Sequence, residues 1–182
     1  PFDHLHEKFG IIGFNDELSH INFVRYLAEH GRMPVQTRSV LDEDAFIHND
    51  FEYYQAPLYY LIAAPPYWVA ERLVPGSGKY AIRLISVFFG LITIAAAYKV
   101  GTAFGQRTGI ICAGLLAVFP AHVYFPSIAT NASLAWLMGT LLLGRIVRTS
   151  PLSERYSDSF LTALLLGAGL LSKSTLLTLV PL

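Results

Sequence analysis

The sequence predicts an all-α fold, a polytopic bundle of transmembrane helices with amphipathic helices at the membrane surface. Hydrophobic residues make up 53% of the 182 residues and charged residues only 14%, well below the roughly 25% of soluble globular domains. The acidic residues are segregated, because ten of the thirteen precede residue 53. The chain therefore divides into a polar first third and an apolar remainder. Its net charge of zero predicts no nucleic-acid partner.

The apolar remainder, residues 81–182, is expected to cross the membrane repeatedly. Residues 108–144 contain no Asp, Glu, Lys or Arg, and this stretch is too long for a single span of about 20 residues. Because Pro120, Pro126 and Asn131 cluster in its middle, we expect two helices joined by a turn. The predicted spans are 82–104, 108–125, 130–148 and 159–178. We expect the chain to be a fragment of a longer membrane domain, because it ends within an apolar stretch.

The orientation of these spans follows from the basic residues near two of the connections. These residues are Lys99, Arg107, Arg145, Arg148 and Arg155. Two spans separate the connections, so both lie on one side of the membrane, and the positive-inside rule makes that side cytoplasmic. Arg83, the 120–130 turn and Lys173 then lie toward the extracytoplasmic side.

The first third, residues 1–80, is predicted to be an extracytoplasmic loop with two interfacial helices. Residues 16–30 have apolar side chains at helical spacing, with a cap at Asn15 or Asp16 and a stop at Gly31. Residues 57–74 are apolar enough to span, but Pro65 and Pro66 interrupt the segment. A helix at the membrane surface is therefore favoured over a span for 57–74.

Adjacent carboxylates at Asp16 and Glu17 are the first candidates for chemistry. Capping and complementing the helix dipole explains such a pair by itself. The functional alternative is a general base or a metal ligand at the outer membrane surface. His20 lies four residues after Asp16 and so on the same helix face, although a solvated face also explains that histidine.

Two cations near the predicted outer surface are candidates for binding an anion. Arg83 begins a span, where it either extends to lipid headgroups or pairs with the phosphate of a lipid-linked substrate. Lys173 lies within a predicted span, where a charge costs at least about 2.5 kcal/mol on insertion scales and therefore indicates a function. The alternative is that its side chain extends to the outer surface from the end of the helix. Residues 51–60 are rich in aromatic side chains, which is typical of an interfacial belt or of a platform for a sugar or lipid.

Four motifs occur in order along nearly the whole chain. They are Asn15-Asp16-Glu17 with His20; Glu52-Tyr53-Tyr54-Gln55-Ala56-Pro57-Leu58-Tyr59-Tyr60; the segment from Arg83 to Gly90; and the segment from Gly167 to Lys173. Thr130-Asn131 fits a short outer loop between the last two. Together these motifs resemble the GT-C class of glycosyltransferases, in the branch of protein O-mannosyltransferases (glycosyltransferase family 39 or related) and the lipid A aminoarabinose transferases. Ala56 stands where that family usually has a proline.

The resemblance implies a GT-C type membrane fold, here partial, and an inverting transferase that takes a sugar from a dolichyl- or undecaprenyl-phosphate carrier on the outer face. Asp16 would be the general base, and Glu17 would assist it, with a divalent cation, Mg²⁺ or Mn²⁺, as a candidate cofactor bound by both. Arg83 and Lys173 would bind the donor phosphate.

The remaining implied residues line the substrate, and they are His20, Gln55, Tyr59 and Asn131. The acceptor would be a protein, a lipid or a cell-envelope glycan, in the plasma membrane of a prokaryote rather than the endoplasmic reticulum.

Two other functions compete with the transferase. A secondary transporter could use Arg83 and Lys173 along an anion path, although such proteins usually have repeated halves with ionisable groups near the midplane, and the sequence has no such repeat. A non-catalytic membrane scaffold could present the polar first third to a partner, and Asp16 and Glu17 would then be dispensable.

Overall fold

A computed structural model describes residues 16–35, 55–148 and 156–179. All regular elements in these ranges are helical, which confirms the all-α fold class. They are α1 (Glu17–His30), α2 (Leu58–Leu73), α3 (Gly78–Gly101), α4 (Gln106–Val118), α5 (Pro120–Ser127), α6 (Ala132–Arg148) and α7 (Tyr156–Leu170), with 3₁₀ turns at Thr102–Phe104 and Ser174–Leu179. The start of the aromatic stretch at 51–54 and the basic residue Arg155 lie outside the described residues.

The helices α1 and α2 pack against each other and form much of the buried core. Phe23 of α1 stacks on Tyr60 of α2 with ring centroids 3.9 Å apart, and Val24 is fully buried beside them. Gly31 ends α1 in the left-handed conformation, with φ of 64°, which a glycine adopts without steric cost. The apolar face that the sequence predicts for 16–30 is thus used for helix packing.

The helix α2 continues through Pro65 and Pro66, where the sequence analysis expects an interruption. Each proline removes one backbone hydrogen bond from the helix. The buried face of α2, which carries Tyr60, Ala63 and Tyr67, contacts the core on both sides of the two prolines. This packing holds the helix on either side of the proline pair, because tertiary contacts outweigh local propensity.

The long helix α3 lies at the centre of the bundle and contacts α2, α4, α5 and α6. With its 3₁₀ extension it forms a stretch, Gly78–Phe104, that is long and apolar enough to cross a membrane. Its 24 residues give a length of about 36 Å, enough for a hydrocarbon core of about 30 Å. This element corresponds to the predicted span 82–104.

The segment predicted as one span over 108–125 is bent by 60° between α4 and α5. Phe119 at the bend has an extended backbone, with φ of −67° and ψ of 118°, because the following Pro120 disfavours the helical conformation at the residue before it. The two helices together are apolar enough for one broken span. Gly90 on α3 allows α5 to approach closely, since a Cβ at that position would lie 2.7 Å from the Cβ of Pro126.

The last two helices are shorter than the sequence predicts. The helix α6 covers Ala132–Arg148, close to the predicted 130–148, but α7 ends at Leu170 rather than near residue 178. A turn at 171–173 follows, and the backbone N–H of Leu58 donates to the Leu171 carbonyl over 2.8 Å. This hydrogen bond ties the turn after α7 to the start of α2.

Candidate functional site

A buried loop between α5 and α6 forms the centre of the candidate site. Its four residues, Ile128, Ala129, Thr130 and Asn131, are each at least 93% buried. The loop starts where α5 ends, one residue after Ser127. Each of its last three residues hydrogen bonds to a residue that the sequence analysis names as a candidate. We refer to residues 128–131 as the central loop.

The first of these contacts involves the carboxylate of Glu17, which is 1% exposed. Its Oε1 accepts hydrogen bonds from Arg83 Nε at 2.8 Å and from the Ala129 backbone N–H at 2.9 Å, and its Oε2 accepts one from Arg83 Nη2 at 2.9 Å. A carboxylate with this many donors and a bidentate guanidinium partner is held in one orientation. Glu17 therefore fixes Arg83 and joins it to the central loop.

The second contact involves His20, which is 5% exposed. Its Nδ1 is hydrogen bonded to the hydroxyl of Tyr60 at 2.6 Å, and its Nε2 lies 3.4 Å from the hydroxyl of Thr130. The imidazole thus bridges α2 and the central loop inside the core. Both expectations for His20, a solvated face and a substrate-lining position, require exposure that this side chain does not have in the structure.

The third contact involves Tyr59, which is fully buried. Its hydroxyl is 2.7 Å from the hydroxyl of Ser86 and is also hydrogen bonded to the backbone of Thr130. Burial raises the pKa of the Tyr59 phenol, and the nearby Glu17 carboxylate raises it further. The hydroxyl therefore stays protonated and serves as a hydrogen-bonding group that joins α2, α3 and the central loop.

The fourth contact involves Asn131, which is fully buried. Its Nδ2 donates to Gln55 Oε1 at 2.9 Å and to the Ser172 carbonyl at 3.0 Å. Within the described residues its Oδ1 has no hydrogen-bond partner. Asn131 thus fixes both Gln55 and the turn after α7, and Lys173 directly follows Ser172 in that turn. The side chain of Lys173 is half-buried.

Asp16 differs from its neighbour Glu17 in its surroundings. It is exposed and stands at the start of α1, where its side chain makes no capping hydrogen bond. Successive residues on a helix point about 100° apart, because one turn takes 3.6 residues. The adjacent carboxylates consequently lie on different sides of α1, one toward the core and one toward the surface.

Arg83 keeps hydrogen-bonding capacity after its pairing with Glu17. A guanidinium has five N–H donors, and Glu17 takes one from Nε and one from Nη2. Within the described residues the other three have no protein acceptor, and the side chain is 17% exposed. Arg83 is therefore a positioned cation with three donors left for a ligand.

The expected divalent cation does not fit Glu17 in this arrangement. Arg83 already neutralises the carboxylate, and a second cation beside it would be repelled by the guanidinium. Within the ranges 16–35, 55–148 and 156–179 there is no group of three or more His, Cys, Asp or Glu side chains that could hold a metal ion.

Two groups that belong to the site are absent from the residues predicted from the sequence. Ser86, the partner of Tyr59, lies three residues after Arg83 and hence on the same face of α3, so the spacing was a usable signal. The backbone N–H of Ala129 carries no signal in the sequence, because every residue except proline has one. Of the eight predicted site residues, the structure brings six together around the central loop, and they are Glu17, His20, Gln55, Tyr59, Arg83 and Asn131.

Comparison with known protein families gives a match over most of the chain. The model of the dolichyl-phosphate-mannose-protein mannosyltransferase family matches residues 56–182. The matched region includes Arg83, the central loop and Lys173, and it begins after α1, which carries Asp16 and Glu17. No curated protein and no solved structure matches the chain.

Proposed function

The chain belongs to the dolichyl-phosphate-mannose-protein mannosyltransferase family, and from this premise we propose that it transfers a sugar from a polyprenyl-phosphate carrier. The family confirms the resemblance to GT-C glycosyltransferases and identifies a membrane protein. We further propose that the acceptor is a protein, a lipid or a cell-envelope glycan. The reaction takes place on the extracytoplasmic face of a prokaryotic plasma membrane and inverts the anomeric centre.

The proposal rests on the fixed position and the remaining hydrogen-bond donors of Arg83. Its guanidinium is fixed by Glu17 and still has three N–H donors for a ligand. Phosphate oxygens are the acceptors that match such a fork of donors. A fixed guanidinium stabilises a leaving phosphate efficiently, because it does not have to reorient as the charge develops. Arg83 is thus suited to bind the phosphate of the carrier.

The transfer step can be written with Asp16 as the base. The acceptor oxygen attacks C1 of the sugar while the bond from C1 to the phosphate oxygen breaks. The proton of the acceptor hydroxyl passes to the Asp16 carboxylate, and the polyprenyl phosphate leaves with one more negative charge, which Arg83 stabilises. The exposure of Asp16 at the start of α1 supports this role, since a base must reach an incoming acceptor.

Glu17 has a positioning role in this scheme, because its oxygens already accept from Arg83 and Ala129. His20, Tyr59, Gln55 and Asn131 likewise act through the central loop, which they hold in place. Lys173 is proposed as a second cation for the carrier phosphate. Its support is the hydrogen bond from Asn131 to the preceding residue, Ser172, which ties the lysine turn to the central loop.

The test is transfer of radiolabelled sugar from crude polyprenyl-phosphate-sugar donors by membranes that contain the full-length protein. Asp16→Asn removes the base and keeps the shape of the side chain, and general-base removal costs about 10² to 10⁴ in rate. Glu29→Gln is the matched control, since Glu29 is also an exposed acid of α1 but lies at the far end of the helix.

A large loss in Asp16→Asn with normal transfer in Glu29→Gln, at equal expression, supports the transferase with Asp16 as base. Unchanged transfer in Asp16→Asn removes Asp16 from the chemistry. Absence of transfer by the wild-type protein with every donor favours the transporter or the scaffold instead.

A further inference from the structure

A groove between α3 and α6, at the ends of these helices remote from Arg83, combines three cations with an apolar floor. Lys99, Arg145 and Arg148 line it, and the cavity measures about 200 Å³. The floor is aliphatic and consists of Ala96, Val100, Leu141 and Gly144. We refer to this cavity as the basic groove. None of its residues takes part in the candidate site around the central loop.

The charges of the basic groove are only partly neutralised. Arg145 is paired with Asp158 at 2.7 Å, and Arg148 donates hydrogen bonds to the Lys99 carbonyl and to the Thr102 hydroxyl. The ammonium of Lys99 is exposed and has no acceptor among the described residues. Within the part of the chain that the structure describes, no carboxylate pairs with Lys99 or Arg148, so the groove keeps positive charge.

The helix dipole alone does not account for the composition of the basic groove. Cations near a helix C-terminus interact favourably with the helix dipole, and this explains single basic residues at the ends of α3 and α6. It does not explain why the cations surround an aliphatic cavity. A ligand that matches both features has an anionic head and a hydrocarbon part, and membrane lipids with a phosphate headgroup have this chemistry.

We propose that the basic groove binds the headgroup of an anionic phospholipid, with the acyl chain along the aliphatic floor. Basic pockets between membrane helices on the cytoplasmic side are typical sites for such headgroups. The predicted orientation puts Lys99, Arg145 and Arg148 on that side. This proposal is independent of the transfer reaction.

The bound lipid is distinct from the sugar donor. Arg83 and Lys99 lie on the same helix and are sixteen residues apart, which corresponds to about 24 Å along the axis. One phosphate cannot contact both residues. The distance is close to the hydrocarbon thickness of about 30 Å, so the two cationic regions fit opposite surfaces of the same bilayer.

The experiment is native mass spectrometry of the full-length protein in detergent, titrated with phosphatidylglycerol or with zwitterionic phosphatidylethanolamine. Lys99→Gln removes an ammonium charge that has no acceptor among the described residues. The double variant Lys99→Gln/Arg148→Gln removes two cations. Arg107→Gln is the matched control, because Arg107 is an exposed cation of α4 that does not line the groove.

We expect phosphatidylglycerol to bind more tightly than phosphatidylethanolamine. The affinity should fall about fivefold in Lys99→Gln and about thirtyfold in the double variant, since each basic side chain near a membrane surface contributes about 1 kcal/mol. The charge-preserving variant Lys99→Arg should bind as the wild type does. Thermal unfolding of each variant shows whether the fold is retained, and Lys99→Gln provides the test if the double variant does not fold.

Four results would overturn the proposal. One is equal binding of the two lipids, and another is an equal loss of affinity in Arg107→Gln, which would indicate general surface charge. The third is unchanged affinity in Lys99→Gln, which would indicate that another part of the protein or a second copy covers the groove. Displacement of the lipid by excess inorganic phosphate would show that the groove recognises a free anion instead of a lipid.

Discussion

The Glu17 carboxylate holds the Arg83 guanidinium along one edge, with Nε to Oε1 at 2.8 Å and Nη2 to Oε2 at 2.9 Å. The side chain of Glu17 is fully buried, whereas that of Arg83 is 17% exposed. Glu17, the buried member of the pair, therefore fixes the position of Arg83. Arg83, the more exposed member, can still bind a ligand.

Neutralising either member of this pair should destabilise the protein, because the other charge loses its partner. Glu17→Gln and Arg83→Gln are each expected to cost about 3 kcal/mol in the free energy of unfolding. The double variant Glu17→Gln/Arg83→Gln should recover part of that loss, since no unpaired charge remains. The measurement is thermal unfolding of the full-length protein in detergent, combined with sugar transfer by the same samples.

The rate of sugar transfer should distinguish the positioning role of Glu17 from the phosphate-binding role of Arg83. The double variant lacks the cation for the carrier phosphate and should therefore remain inactive even where its stability is recovered. Arg83→Lys keeps a charge but loses the bidentate geometry, and we expect an increased KM for the lipid donor. Active double-variant protein would contradict the assignment of Arg83 as a phosphate ligand.

The contact of Gly90 with Pro126 should control the position of the central loop. Gly90→Ala would place a Cβ 2.7 Å from the Pro126 Cβ, and relieving this overlap should cost about 1–3 kcal/mol. The displaced helix α5 leads directly into the central loop, so transfer should decrease as well. The unfolding temperature and the rate of sugar transfer are measured for Gly90→Ala and for the wild type.

Gly114 provides the control for this substitution. It lies within α4, and a Cβ at that position would meet no atom within 4 Å. Gly114→Ala should therefore stabilise the protein by up to about 1 kcal/mol through helix propensity and leave transfer unchanged. A Gly90→Ala variant that behaves like Gly114→Ala would show that α5 can shift without affecting the site.

Asn131 should act as the link between the central loop, Gln55 and the turn after α7. Asn131→Ala removes one hydrogen bond from the half-buried Gln55 and the side-chain donor of the buried Ser172 carbonyl. An unsatisfied buried carbonyl costs about 1–3 kcal/mol. Hydrogen exchange of the peptide that contains residues 171–173 should become faster. Ser127→Ala is the control, because Ser127 also donates to a backbone carbonyl but is exposed. Unchanged exchange in Asn131→Ala would mean that the other hydrogen bonds of the turn, including the one from Leu58, hold it without Asn131.

The hydrogen bond between Tyr59 and Ser86 should show energetic coupling. Tyr59→Phe and Ser86→Ala each leave the partner hydroxyl buried without this bond, at a cost of about 1–3 kcal/mol. The double variant should lose about 0.5–1.5 kcal/mol less than the sum of the single variants, because it removes both unsatisfied groups at once. Strictly additive free energies of unfolding would indicate that the two hydroxyls do not interact.

The sequence analysis assigns Asp16 and Glu17 to one catalytic pair, and the structure separates them. Composition and spacing identify two acids at a helix start but do not determine which one points inward. That choice depends on the position of Arg83, which lies 66 residues further along the chain. Local patterns describe a helix by itself, whereas the burial of each face depends on what the rest of the chain places beside it.

The helix boundaries also divide into those that local sequence determines and those that distant contacts determine. The end of α1 at Gly31 and the bend before Pro120 follow from backbone preferences of single residues, and the sequence indicates both positions. The continuation of α2 through Pro65 and Pro66 and the end of α7 at Leu170 contradict local signals. In both cases contacts with distant residues decide, namely the packing of α2 on α1 and the hydrogen bond from Leu58 to Leu171.

The sequence by itself determined the helical fold, the apolar character of the bundle and the residue types of the site, because these follow from composition, periodicity and motif order. Only the tertiary structure decided that Glu17 fixes Arg83, that His20 and Tyr59 are buried, and that the central loop joins them. The physical reason is that hydrogen bonds and ion pairs between side chains require proximity within about 3 Å. Proximity between residues 17, 83 and 129 is a property of the packed bundle, which no local segment of the chain specifies.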